Sequence, residues 1–179
     1  TLVNKASTKQ KIDKFDVGFS LARNFTDSSQ LDYNAAIDFH NLKDKFGVTE
    51  NHLELAGNLS KYHKQELYSL GVEVNYNKLI NPLSLDRNLV LGINPTISTS
   101  TEKWQFKVGI GLYLNSYPDT KFHFYPKAEF KYNVVEDIII PYVGIRGGLI
   151  SNNLNTFYKE NPFINTVDLA VQNTNQKYD

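Results

Sequence analysis

An all-β fold, wound as an antiparallel up-and-down meander, is predicted for this chain by three observations. Apolar and polar residues alternate with period two in almost every segment. Aromatics are abundant, with 11 Tyr and 11 Phe in 179 residues, and these types favour a pleated, half-buried surface. Helix signals are nearly absent. The best competitor, 48–62, places Leu53, Leu55 and Leu59 where one strand face would hold them, and glycines within the runs weaken a helix. The length suits one domain spanning 1–179.

The elements follow in order. Phe15, Val17, Phe19 and Leu21 alternate with Asp16, Gly18, Ser20 and Ala22. Leu31, Tyr33, Ala35, Ile37 and Phe39 alternate with Asp32, Asn34, Ala36, Asp38 and His40. Leu53, Leu55, Gly57 and Leu59 form a third apolar set, and Leu70, Val72, Val74 and Tyr76 a fourth. The second half repeats the pattern at Leu89–Ile97, Trp104–Leu114 and Phe122–Tyr132. An eighth strand, about 137–150, alternates less cleanly. About eight strands are therefore expected. A ninth is expected to begin after Thr174, close to Asp179, so the chain reads as a fragment of something longer.

The connections read as short near 24–29, 62–65, 99–102 and 134–136, and as long near 77–88 and 150–163. Short turns at one end and long loops at the other are the pattern of an outer-membrane barrel, with the longer loops outside.

Alternation alone does not separate a membrane barrel from a soluble sheet. Three features favour the membrane. Several strands run to 12 residues or more, against a usual ~5–6. Four to six apolar residues per strand face, at ~3.3 Å per residue and ~45° tilt, cover the ~25 Å apolar band. Aromatics sit toward strand ends, at Phe15, Tyr33, Tyr62, Tyr68, Tyr76, Trp104, Tyr117, Phe122 and Tyr132, as interfacial girdles do. Mean hydropathy is −0.40, and no apolar run approaches the roughly 18 residues of a membrane helix. Lipid-facing edges must be paired, so the strands are expected to close into a barrel, alone or as part of a larger one.

Lys+Arg and Asp+Glu are 19 each, so the basic excess of a nucleic-acid binder is missing. Cysteine is absent, which removes disulfides, thiolate metal sites and cysteine nucleophiles.

The run Ile138-Ile139-Ile140-Pro141-Tyr142-Val143-Gly144-Ile145-Arg146-Gly147-Gly148-Leu149, with Tyr158-Lys159-Glu160-Asn161-Pro162-Phe163 after it, resembles the TonB-dependent-receptor-like outer-membrane barrels of Bacteroidetes-type bacteria. The resemblance covers residues 138–163. It implies a larger barrel, an outer-membrane location, and a role in uptake or in assembly with other outer-membrane or periplasmic proteins. No plug domain and no TonB box are seen, so energised transport is not implied for these residues.

With the polar face inward, the early strands bring Asp16, Asp32, Asp38, Glu54 and Glu73 to a lumen, and the later ones Lys107, Lys121, Lys127, Lys131 and Arg146. One wall is acidic and the other basic. Such walls can orient polar solutes. The simpler alternative is that they neutralise one another in a packed interior. No metal is assigned, but one candidate cluster exists. A hairpin about 44–47 sets His40 opposite His52 and Asp38 opposite Glu54, a donor set suited to zinc. Ser20, Ser60 and His123 give no serine–histidine–acid arrangement, and Gly147-Gly148 lacks the Lys-Ser or Lys-Thr of a phosphate loop. No enzyme activity and no cofactor are expected. The reading is an outer-membrane barrel, transporter- or channel-like or the membrane component of a larger complex, with lipid as its surroundings. The alternative is a soluble all-β barrel holding a lipid or other apolar ligand inside.

Overall fold

The computed structural model describes residues 11–23, 31–134, 138–166 and 169–177. Eight strands form one antiparallel sheet in chain order: β1 (Ile12–Arg23), β2 (Leu31–Asp44), β3 (Thr49–His63), β4 (Glu66–Ile80), β5 (Leu85–Ser100), β6 (Trp104–Asn115), β7 (Lys121–Tyr132) and β8 (Tyr142–Ile145). Each strand pairs with its sequence neighbours. Among the described residues the sheet runs open from β1 to β8 and does not close on itself. Strands β6 and β7 have the limits that alternation gives. Most others extend three or four residues further toward their turns.

The register lines up the alternating residues into continuous rows. One apolar row runs Phe19, Ile37, Leu55, Val74, Leu91, Leu114, Phe122 across seven strands. The next runs Leu21, Ala35, Gly57, Val72, Ile93, Leu112, Phe124. The opposite face carries Gly18, Asp38, Glu54, Asn75, Val90, Asn115, Lys121 in the matching row. The apolar face is the bare one: Phe19 is 68% exposed and Phe122 66%.

Among the described hairpins the expected contrast of short and long connections is not found. The hairpins turn at 45–48, 64–65, 81–84, 101–103 and 116–120, all short. The supposed long loop at 77–88 is strand except for 81–84. Its polar residues misled because Asn77 and Asn88 face each other across β4 and β5 while still in the ladder. The actual turn is Asn81-Pro82-Leu83-Ser84, closed by Asn81 N–H to the Ser84 carbonyl at 2.8 Å, with proline at the position whose φ it presets. The 24–29 connection and most of 134–136 lie outside the described residues. The described hairpins alone do not say which end faces outward.

The expected eighth strand, about 137–150, is also corrected. Pro141 has no N–H to give the ladder, and β8 covers only Tyr142–Ile145. The chain leaves the sheet at Arg146-Gly147 and forms β9 (Gly148–Ile150), which pairs with β10 (Thr174–Gln176) in a separate two-stranded ribbon. The strand expected after Thr174 therefore pairs off the main sheet. The expected loop 150–163 contains a helix, α1 (Leu154–Glu160), started by Asn153, whose side chain accepts from Thr156 N–H at 2.8 Å. Seven residues are too few to show helical periodicity, but an Asn cap and a last-turn Lys159 are its local signals.

Residues 151–166 and 169–177 fold back onto the polar face of the sheet. Leu42, Val48 and Leu79 from the strands and their turn pack against Leu154, Tyr158 and Val171. Val90, Tyr113 and Tyr125 pack against Leu149. The buried core thus lies on the nominally polar side, at the end carrying the 45–48, 81–84 and 116–120 turns.

Candidate functional site on the polar face

Two buried carboxylates hold the folded-back segment. Glu50, on β3, is fully buried. It accepts from Leu154 N–H at 2.6 Å, Asn155 N–H at 3.2 Å and the Asn77 amide at 3.0 Å, and its Oε1 lies 3.0 Å from His40 Nε2. The first backbone N–H groups of a helix have no partner within it. Glu50 and Asn153 between them take those of Leu154, Asn155 and Thr156. Asp44, at the end of β2, works in two directions. Its Oδ1 accepts from Phe46 and Val48 N–H at 2.9 Å each and shapes the turn. Its Oδ2 accepts from the Tyr158 hydroxyl at 2.9 Å and from the Thr166 hydroxyl.

Beyond the helix, amides take over. Asn88 and Asn173 exchange side-chain hydrogen bonds at 2.7 and 3.1 Å. Asn173 also donates to Asn115 at 2.7 Å, and the Tyr125 hydroxyl donates to Asn175 at 2.8 Å. Asn115 pins the next turn by donating to the Tyr117 carbonyl at 2.7 Å. In that turn, burial and then the neighbouring Asp86 carboxylate hold the Tyr117 phenol above the ordinary tyrosine range.

The hairpin register sets His40 opposite His52 and Asp38 opposite Glu54, as the alternation predicts. The rings of His40 and His52 stack with centroids 4.7 Å apart. The metal cluster does not assemble: His40 turns to Glu50, and His52 Nε2 stands 3.9 Å from Glu54. Among the described residues no three His, Asp or Glu side chains gather in a metal-holding group.

Asp16, Asp32, Asp38, Glu54, Glu73, Lys107, Lys121, Lys127 and Lys131 all share the polar face by register. Only some meet across the sheet. Glu73 accepts from the Asn94 amide at 3.2 Å, and Asn94 Oδ1 accepts from Lys127 Nζ at 2.6 Å and from the Tyr113 hydroxyl at 3.2 Å. Acidic and basic walls are therefore linked through one asparagine. Gly92 makes room for the link, since a Cβ there would lie 2.7 Å from the Tyr113 ring. Other charges pair locally: Lys14 with Asp16 at 2.9 Å, Lys121 with Asp119 at 3.7 Å and Lys131 with Glu129 at 2.8 Å. Ser20, Ser60 and His123 stand on β1, β3 and β7.

Toward the 64–65 and 101–103 hairpins the polar face is open. A cavity of about 620 Å³ lies there, bounded by Asn58, Gly71, Asn94, Lys107, Lys127, Glu129 and Arg146 among others. The cavity reaches across the polar face from Asn58 on β3 to Arg146 just after β8. Sequence reasoning missed Glu50, Asp44 and the asparagines of the inner tier, because polar residues in register with other polar residues look like ordinary lining. No protein-family model, curated protein or solved structure matches the chain.

Proposed function

We propose that this chain forms part of the wall of a bacterial outer-membrane β-barrel, transporter- or channel-like or the membrane component of a larger complex. The observation that carries the reading is the sidedness of the sheet. Its apolar rows are continuous over seven strands and bare, while the chain's own tail folds onto the polar face. In water, burial of apolar area stabilises by ~25 cal/mol per Å², and a tail free to choose would cover the phenylalanines. Lipid around the apolar rows accounts for the arrangement.

Aromatic residues support the same orientation. Tyr33, Tyr68, Trp104 and Tyr132 stand on the apolar face toward the 64–65 and 101–103 hairpins. Phe15, Tyr76 and Phe122 stand toward the other end, which turns polar at the row Asn41, Asn51, Lys78, Arg87. Two aromatic belts around an apolar band suit two interfaces. The edges of β1 and β8 cannot face lipid unpaired, so we read the sheet as part of a larger closed barrel. The likeness of 138–163 to TonB-dependent-receptor-like barrels agrees with that size. A soluble carrier of apolar ligands would hold its apolar face inward, and the packing of the tail on the polar face favours the membrane reading over it.

Trp104 tests the proposal. In phosphatidylcholine vesicles with bromines at graded acyl depths, its fluorescence is expected to be quenched most by shallow bromines. Absence of quenching, together with solubility in the absence of detergent, overturns the reading.

A further inference from the structure

We infer that the open end of the polar face is a binding site for a small solute bearing several anionic oxygens, of the phosphate or carboxylate class. The inference deepens the channel reading and rests on it for any role in passage. A cavity of about 620 Å³ falls within the ~300–1,000 Å³ of small-molecule sites. Its charged lining consists of Lys107, Lys127 and Arg146 against a single carboxylate, Glu129. That carboxylate is already engaged by Lys131 at 2.8 Å. The other nearby acid, Glu73, is not in the lining. It stands behind Asn94, holding the amide nitrogen so that the amide oxygen meets Lys127. This fixes the Lys127 ammonium at the cavity wall, with a neutral acceptor in place of a counter-ion at that contact. Lys107 and Arg146 are exposed and reach the same space from β6 and from the residue after β8.

Four cations, Lys107, Lys127, Arg146 and Lys131, stand around two carboxylates, Glu129 in the lining and Glu73 behind Asn94, and this excess of positive charge gives a field that favours anions. Arginine and lysine make charge-assisted hydrogen bonds to carboxylate and phosphate alike, so the probes must separate the two.

Titration calorimetry of the detergent-solubilised full chain would use pyrophosphate, citrate and, as a neutral polar control, maltose. Pyrophosphate or citrate is expected to bind and maltose not, and the preferred probe identifies the class. Lys107→Gln and Arg146→Gln, both at exposed positions, are each expected to weaken binding about tenfold. Lys127→Arg should retain more affinity than Lys127→Gln. Higher salt should weaken binding. No binding of either anion, binding untouched by all three Gln variants, or equal binding of maltose overturns the inference. The membrane reading fails separately: a chain that binds pyrophosphate yet shows no lipid quenching of Trp104 loses the barrel and keeps the site.

Discussion

The polar face has two ends that the same alternation builds and that differ in almost everything else. At the end with the 45–48, 81–84 and 116–120 turns, Leu42, Leu79 and Val90 interrupt the polar positions, and Asp44 and Glu50 stand between them fully engaged. The tail covers that end. At the other end the corresponding positions are Asn58, Ser69, Gly71 and Thr96, with Lys107 and Lys127 beside them, and the face is open. The contrast shows what a covered polar surface requires. Apolar residues supply contact area, and buried carboxylates meet specific donors, because an unmatched buried carboxylate would be costly. Where the inward positions are small or uniformly polar, nothing replaces water.

The largest effect expected from breaking the contrast comes from Glu50→Ala. It leaves the Leu154 and Asn155 N–H groups, the Asn77 amide and His40 without their common acceptor. Removing one side of a buried, charge-assisted network costs about 4 kcal/mol. Tryptic cleavage at Lys159, exposed on α1, should then accelerate by up to about a thousandfold. Cleavage within β3 to β6 should stay slow. Glu50→Gln keeps one acceptor oxygen and should fall between the two. If Glu50→Ala leaves cleavage at Lys159 unchanged, the carboxylate does not hold the segment.

The two ends also differ in how far the sequence discloses them. The open end was legible in part: Lys107 and Lys127 follow from counting alternate positions, whereas that counting does not single out Asn94 and Glu129, which also line it. The hairpin register that sets His40 opposite His52 was equally legible, since one residue of slip would move every side chain to the other face. The covered end was not legible as a site. Glu50 and Asp44 occupy polar-face positions, where a carboxylate looks unremarkable, and their partners lie more than 100 residues away. A signal was present in Leu42, Leu79 and Val90, apolar residues at polar-face positions, which mark where that face is covered. The helix was hidden by its brevity. The break after Ile145 was hidden because Ile138–Leu149 keeps a strand's composition while Pro141 and Gly147 interrupt its ladder.

A second, smaller perturbation works within the covered end. Asn173→Ala removes the reciprocal pair with Asn88 and the bond to Asn115. Both strand asparagines are buried, but each can still recruit water at the tail's margin, so the loss should be about 1.5 kcal/mol. Amide exchange at 174–176 should rise about tenfold, with α1 unaffected because its anchors are Glu50 and Asp44. Equal acceleration in α1 would mean that the segment opens as one unit.

The smallest effect is expected at the open end. Asn58 lines the cavity and takes no part in the amide tier that holds the tail. Its row neighbours are Asn34 and Gly71, so truncating it leaves no apolar void for water to avoid. Asn58→Ala should therefore change stability by no more than about 0.5 kcal/mol, measured by urea unfolding in detergent with Trp104 as reporter. The same truncation at a position packed under the tail would cost several times that. A loss above ~2 kcal/mol at Asn58 would show that the open end is packed in the folded protein, and the two ends of the polar face would then differ in chemistry without differing in burial.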